Sequence, residues 1–298
     1  MRSGSDKLNI GTDNGIINLW ENDMYDNIKL IVCDVDKTLA MDGVNLTERT
    51  IRDINELHKQ GYLFCVNSGR AFYQAENVIK RWNLDFQPEL VIAMNGAIVH
   101  DYMTGKEYHF TELQPDVLKE IVDMMSPLKD LYTMNMYFDG YMVYQRDDEL
   151  LEAARKKYYN EKIIAAEDDS VFYSEANPKI MFRLYDVNRM PEVEAHVDKH
   201  PSDKYIGFKT QPHIFEFTDP RTSKGAALKQ YCEITGFPIE DVATFGDTSN
   251  DIDIIKYSDL GVAMLNGSDD VKEAADVVTR LSCEDEGFAD FVETYFLK

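Results

Sequence analysis

Residues 28–39 read IKLIVCDVDKTL. An apolar run from Ile28 to Cys33, unbroken after Lys29, stops abruptly at two carboxylates one residue apart, Asp34 and Asp36. A short apolar run without alternation predicts a strand covered on both faces, as in parallel sheets. In open α/β sheets ligands collect outside the carboxyl ends of such strands. Acids placed there add nothing to a packed core. Partly desolvated and this close, they raise each other's pKa unless a cation joins them. A bound metal is the first expectation.

Outward from this stretch the chain alternates helices and strands. Thr47 predicts the N-cap of a helix over 48–60, with Ile51, Ile54 and Leu57 on one face and Gly61 after its end. YLFCV (62–66) reads as a second strand ending in Asn67-Ser68-Gly69-Arg70. A helix to about residue 82 follows, then a third strand, LVIAM (90–94), ending in Asn95-Gly96-Ala97. The same rhythm resumes late in the chain: helix 224–235, strand VATFG (242–246), helix 250–257, strand LGVAM (260–264), helix 268–275 and strand VVT. Such alternation predicts an α/β fold, a doubly wound parallel-sheet (Rossmann-like) core with right-handed crossovers.

Between these halves the pattern differs. Hairpin signals centre on Thr104-Gly105 and Asp139-Gly140, helices are expected over 115–125, in DELLEAARKKYY and over 190–199, and KIMFRLY (179–185), YIGFKT and HIFEFT read as strands. This predicts an inserted α+β domain over 111–212, flanked by core segments 24–110 and 213–298. Residues 1–23 are polar and aperiodic, and are expected to be a flexible leader or a cloning remnant outside the fold.

The chain has 298 residues, 44% of them hydrophobic, enough for a substantial core in one or two domains. A net charge of −23 argues against binding nucleic acid or an anionic membrane. An anionic substrate would therefore need a local positive site. No apolar stretch approaches the roughly 20 residues of a membrane span, and no secretory pattern opens the chain. Cys33, Cys65, Cys232 and Cys283 are scattered, with no C-x-x-C pair, and read as buried free thiols. A cytoplasmic location is expected.

Further acids and a lysine sit at equivalent places. Asp247 directly follows VATFG, and Asn250 and Asp251 complete GDTSND. Lys224 opens the helix after the insert, in Thr222-Ser223-Lys224-Gly225. Acids, a hydroxyl (Ser68) and a lysine converging on one rim suit a hard divalent cation and a phosphoryl group, because Mg²⁺ takes oxygen ligands together with substrate phosphate.

DVDKTL, the Ser of VNSGR, Lys224 in SKG and GDTSND occur in the order found in the haloacid dehalogenase (HAD) superfamily. With its long insert, and with GVAMLNG and CEDEGFADFVE near the end, the chain resembles the Cof-type sugar-phosphatase branch. The resemblance implies that Asp34 attacks phosphorus and becomes an aspartyl-phosphate. It implies that Asp36 exchanges protons with the leaving oxygen and the hydrolytic water. Mg²⁺ would be held by Asp34, the main-chain carbonyl of Asp36, and Asp247, with Asp251 in support. Ser68 and Lys224 would hold phosphoryl oxygens, and Asn250 would orient the phosphate or Lys224. Arg70, Asn95, Lys179 and Arg183 are candidates for contact with a small phosphorylated substrate. Two departures stand out. Lys37 occupies a turn position where the branch often has Gly, and Leu265-Asn266-Gly267 replaces the more usual Gly-Asn-Ala.

Other readings remain open at this point. Asp34 and Asp36 alone could be solvated turn acids, although Thr38 and Leu39 do not continue a calcium loop. Ser68 alone could be a helix N-cap. His196 and His200 are four apart, but without the adjacent Glu of zinc proteases they read as a solvated helix face. A phosphosugar mutase and a non-catalytic phosphometabolite sensor are the rival functions. P-loop and dinucleotide readings lack their glycine motifs.

Overall fold

A computed structural model describes residues 25–138, 140–157 and 161–298. The leader expected over 1–23 lies outside the described residues, as do Asp139 of the expected hairpin turn and Tyr158 and Tyr159 at the end of DELLEAARKKYY. Two compact units emerge, one ending at Phe110 and resuming at Ser223, the other Thr111–Thr222.

The first unit opens with β1 (Leu30–Asp34), α1 (Glu48–Lys59), β2 (Leu63–Asn67), α2 (Phe72–Trp82) and β3 (Leu90–Ala93). A hairpin of β4 (Ile98–Asp101) and β5 (Lys106–His109) extends the sheet antiparallel at that side. The second unit contains α3 (Pro115–Met125), β6 (Tyr132–Phe138), β7 (Tyr141–Tyr144), α4 (Glu149–Lys157), β8 (Lys162–Ala165), β9 (Lys179–Leu184), α5 (Met190–Val197), β10 (Ile206–Gln211) and β11 (Ile214–Thr218). The chain then returns to the first unit with α6 (Lys224–Thr235), β12 (Val242–Gly246), α7 (Ile252–Tyr257), β13 (Leu260–Ala263), α8 (Asp269–Ala274), β14 (Val277–Val278) and α9 (Gly287–Tyr295).

The core sheet has the order β14-β13-β12-β1-β2-β3-β4-β5, parallel from β14 to β3. Every residue of β1 is buried. Successive side chains of a strand point to opposite faces, and both faces are covered here. Ile31 and Cys33 join Phe64, Val66 and Phe245 in a cluster with Ile54, Trp82 and Phe288 from the helices of one side. Leu30 and Val32 join Cys65 and Ile92 in a second cluster with Leu228 and Tyr231 of α6. The unbroken apolar run follows from this double cover, since a side chain of this size gains about 1.5–3 kcal/mol on full burial. All four cysteines are buried free thiols.

The second unit carries a sheet of order β10-β11-β9-β6-β7-β8, antiparallel except where α4 carries the chain over from β7 to β8. The strand β8 was not foreseen, because four residues with an exposed Lys162 and Ile164 give little pattern. The expected return to the core at residue 213 is corrected to 223. Ile214–Thr218 pairs with β9, and Phe215 and Phe217 pack with Phe182 in the core of the second unit. Alternation identified that strand, but alternation does not name the sheet a strand joins. His196 and His200 each bond a backbone carbonyl, of Met124 and His196 respectively.

Candidate active site

Parallel pairing sets the site. Cys33 is level with Phe245 on β12, and Asp34 is level with Asn67 on β2. The residues that follow these strands, Asp247 and Ser68, therefore emerge beside Asp34 at one rim. From β1 the chain winds one way to β2 and β3, while β12, β13 and β14 fill the other side. The change of direction falls between β1 and β12, where an α/β sheet opens a crevice.

Asp34, Asp247 and Asp251 are buried and offer oxygens that all lie within 4.8 Å of one another. Lys224, the first residue of α6 and 1% exposed, extends Nζ to 2.6 Å from both Asp34 Oδ1 and Asp251 Oδ1. Its backbone is fixed by the start of α6. Ser223 caps the helix by accepting from the Ala226 N–H, and the Gly225 N–H donates to Asp253 Oδ2 at 2.9 Å. The other oxygen of Asp251 accepts from the N–H groups of Asp247 and Thr248. Both of its oxygens are thus engaged in holding Lys224 and the GDTSND turn.

Burial raises the pKa of Asp34 against the pull of Lys224, and Asp251 and Asp247 add repulsion in the same direction. Burial, then Asp251, likewise lifts Asp247 to about 6. Burial alone would push the Lys224 ammonium down, but Asp251 and Asp34 together hold it above the ordinary lysine value. The two tendencies differ because burial outweighs the one ammonium beside Asp34, whereas Lys224 has two carboxylate partners against the same burial.

Around this cluster the turns are tightly made. Lys37 is left-handed, with φ 62°, so the glycine-like position found in the sequence is real and is occupied by a lysine. Asn266, in the loop that departs from the family pattern, donates to the Lys37 carbonyl at 2.9 Å and steadies that turn. Thr38 Oγ1 donates to Asp247 Oδ1 at 3.3 Å. Neither contact was assigned from the sequence. The Thr of DVDKT was in view there, whereas a loop asparagine 229 residues away gave no signal.

The remaining candidates divide. Asp36 is not part of the carboxylate cluster. Its side chain is 57% exposed and pairs with Arg70 Nη2 at 2.8 Å. Ser68 is buried and is not the cap of α2, whose N-cap is Ala71; its hydroxyl accepts from the Arg70 N–H and keeps a proton to donate. Asn250 bonds Asn95 and Thr248 side chains, not Lys224. Asn95 lies in a left-handed turn, Met94–Gly96, where a β-carbon on Gly96 would come within 2.2 Å of the Ser223 carbonyl. That glycine lets the turn press against the start of α6. Lys179 and Arg183 belong to the second unit, where they are buried, Lys179 against Glu216 and Arg183 against Asn135.

The donor set fits a divalent cation. Three buried carboxylates against one ammonium leave two negative charges uncompensated, and buried charge of that kind is stabilised only by a partner. All donors are hard oxygens, as Mg²⁺ requires.

The model of the haloacid dehalogenase-like hydrolase family matches residues 31–292. The chain belongs to the haloacid dehalogenase-like hydrolases. Within that superfamily it is a phosphatase of the Cof-type branch. It is 28% identical over 277 residues to the 5-amino-6-(5-phospho-D-ribitylamino)uracil phosphatase of Bacillus subtilis, covering 90% of this chain and 97% of that one. A crystal structure from Thermotoga maritima, 26% identical, superposes with TM-score 0.79 over 90% of this chain and 97% of its own. A HAD subclass IIB sugar phosphatase, 17% identical, shares the fold with TM-score 0.71 over 91% of this chain and all of the other. No helix among the described residues is long and apolar enough to cross a membrane.

Proposed function

We propose that this phosphatase hydrolyses small phosphorylated metabolites, foremost sugar phosphates, through an aspartyl-phosphate on Asp34, with Mg²⁺ as its cofactor. The observation that carries the reading is the shared Lys224 ammonium between Asp34 and Asp251, with Asp247 alongside, at the carboxyl ends of β1 and β12. Asp34 gives Oδ1 to Lys224 and is read as the carboxylate that approaches phosphorus. Lys224 and Ser68 supply positive charge and a hydrogen-bond donor for the phosphoryl oxygens, the local cationic character that an acidic protein must provide for an anionic substrate. Asp36, exposed and two residues from the nucleophile, donates the proton to the leaving oxygen and later accepts one from water. Asp34, the main-chain carbonyl of Asp36, and Asp247 would hold Mg²⁺, with Asp251 in support. A bound divalent cation there supplies charge that draws the phosphate in and offsets its repulsion from the nucleophile.

The insert is the module we assign to choosing the organic part of the ester, with Lys179 and Arg183 as candidates. Asn95 and Asn250 are read as lining the phosphate end. Four buried reduced thiols support a cytoplasmic location.

The test is phosphate release from a panel of sugar phosphates, nucleotides and cofactor phosphates. Release with Mg²⁺ that stops on chelation and returns on re-addition is expected. Inert protein across the panel would sink the reading, and isomerised sugar phosphate without free phosphate would favour a mutase.

A further inference from the structure

We propose that Arg70 is the positioning residue of Asp36: it fixes one carboxylate oxygen and so presents the other to the leaving group. The proposal rests on the phosphatase reading above. Asp36 needs such a partner because packing does not fix its rotamer; its side chain is 57% exposed, against 10% for Asp34. Arg70 Nη2 donates to Asp36 Oδ1 at 2.8 Å. Arg70 is itself restrained, since its N–H donates to Ser68 Oγ and its carbonyl accepts from the Met94 N–H at 2.9 Å. A later turn of the connection that carries Asp36 closes on the pair. A β-carbon at Gly43, whose φ is +70°, would stand 2.0 Å from Asp36 Oδ1 and 2.6 Å from Arg70 Nη2.

Two connections, β1–α1 and β2–α2, thus meet at one carboxylate oxygen. An exposed ion pair contributes little to stability, so a fit this close is better accounted for by orientation. The guanidinium stays charged throughout. Oδ1 can accept its hydrogen bond whether the carboxyl is neutral or ionised, which leaves Oδ2 to carry the exchanging proton. In the first step an Asp34 oxygen bonds to phosphorus as the bond from phosphorus to the leaving oxygen breaks. The electron pair of that bond stays on the leaving oxygen, which takes the proton from Asp36 Oδ2. In the second step the ionised Asp36 takes a proton from water as the water oxygen bonds to phosphorus and the bond to Asp34 breaks.

The test compares kcat/KM for a sugar phosphate, whose alkoxide needs a proton to leave, with that for p-nitrophenyl phosphate, whose nitrophenolate does not. This ratio reports the first step and is blind to the second. Arg70→Met should lower kcat/KM for the sugar phosphate about 10- to 100-fold and for the aryl ester less than about threefold. Gly43→Ala, which presses on Asp36 Oδ1 from further along the same connection, should reproduce that selectivity, and Arg70→Lys should recover part of the loss. Circular dichroism melts establish that each variant folds. Equal losses on both esters, or no loss on the sugar phosphate, overturn the role of Arg70 and leave the phosphatase reading standing. Wild-type protein that turns over neither ester overturns both.

Discussion

Lys224 Nζ stands 2.6 Å from Asp34 Oδ1, although 190 residues and the whole inserted unit separate them along the chain. The pair is buried, and the ammonium is shared with Asp251 at the same distance. Breaking a buried pair by removing one member leaves an uncompensated charge, which costs about 3–5 kcal/mol. Lys224→Met should therefore lower the melting temperature by several degrees in metal-free buffer and, with Mg²⁺ present, remove turnover. Saturating Mg²⁺ should restore part of the lost stability and none of the turnover. An unchanged melting temperature would contradict the shared ion pair.

Asp34→Asn should separate stability from activity. Burial disfavours the ionised carboxylate in spite of Lys224, so a neutral side chain of the same shape relieves a cost in the metal-free protein. The melting temperature without metal should hold or rise, while turnover falls by about 10⁴-fold or more. Differential scanning calorimetry and phosphate release measure the two quantities. Retained turnover would remove Asp34 as nucleophile.

Asp247 gives a pH signature. Its folded pKa is lifted from the ordinary 3.8 to about 6, chiefly by burial. Between those values the folded protein holds a proton that the unfolded chain has lost, so this group's contribution is complete below pH about 4 and disappears as pH rises through about 6. In chelator, Asp247→Asn should match wild type near pH 4 and exceed it by up to about 3 kcal/mol at pH 7. Denaturant titrations across that range measure the difference. An advantage that shrinks with rising pH would reverse the sign and refute the argument.

Lys37 tests backbone strain beside the site. Left-handed conformation costs a residue with a β-carbon roughly 1–2 kcal/mol, and Lys37 has φ 62°. Lys37→Gly should raise stability by up to about 1 kcal/mol, part of the gain being offset by the greater freedom of glycine in the unfolded chain. A fall in the denaturation midpoint would mean that the lysine side chain contributes more than its backbone strain costs.

The sequence by itself determined the element types around the site. The unbroken run before Asp34, the endings of the strands at Ser68 and Asp247, and the capped start of α6 at Lys224 are local patterns, and local sterics with burial periodicity suffice to produce them. The resemblance to the branch marked the odd position of Lys37, and the backbone there is left-handed. Only the tertiary structure decided that one ammonium serves two carboxylates, that Arg70 rather than the carboxylate cluster holds the Asp36 side chain, and that Ile214–Thr218 stays with the second unit. Those outcomes depend on which strand pairs with which and on how close remote loops approach. Neither quantity is written in the pattern of any single segment.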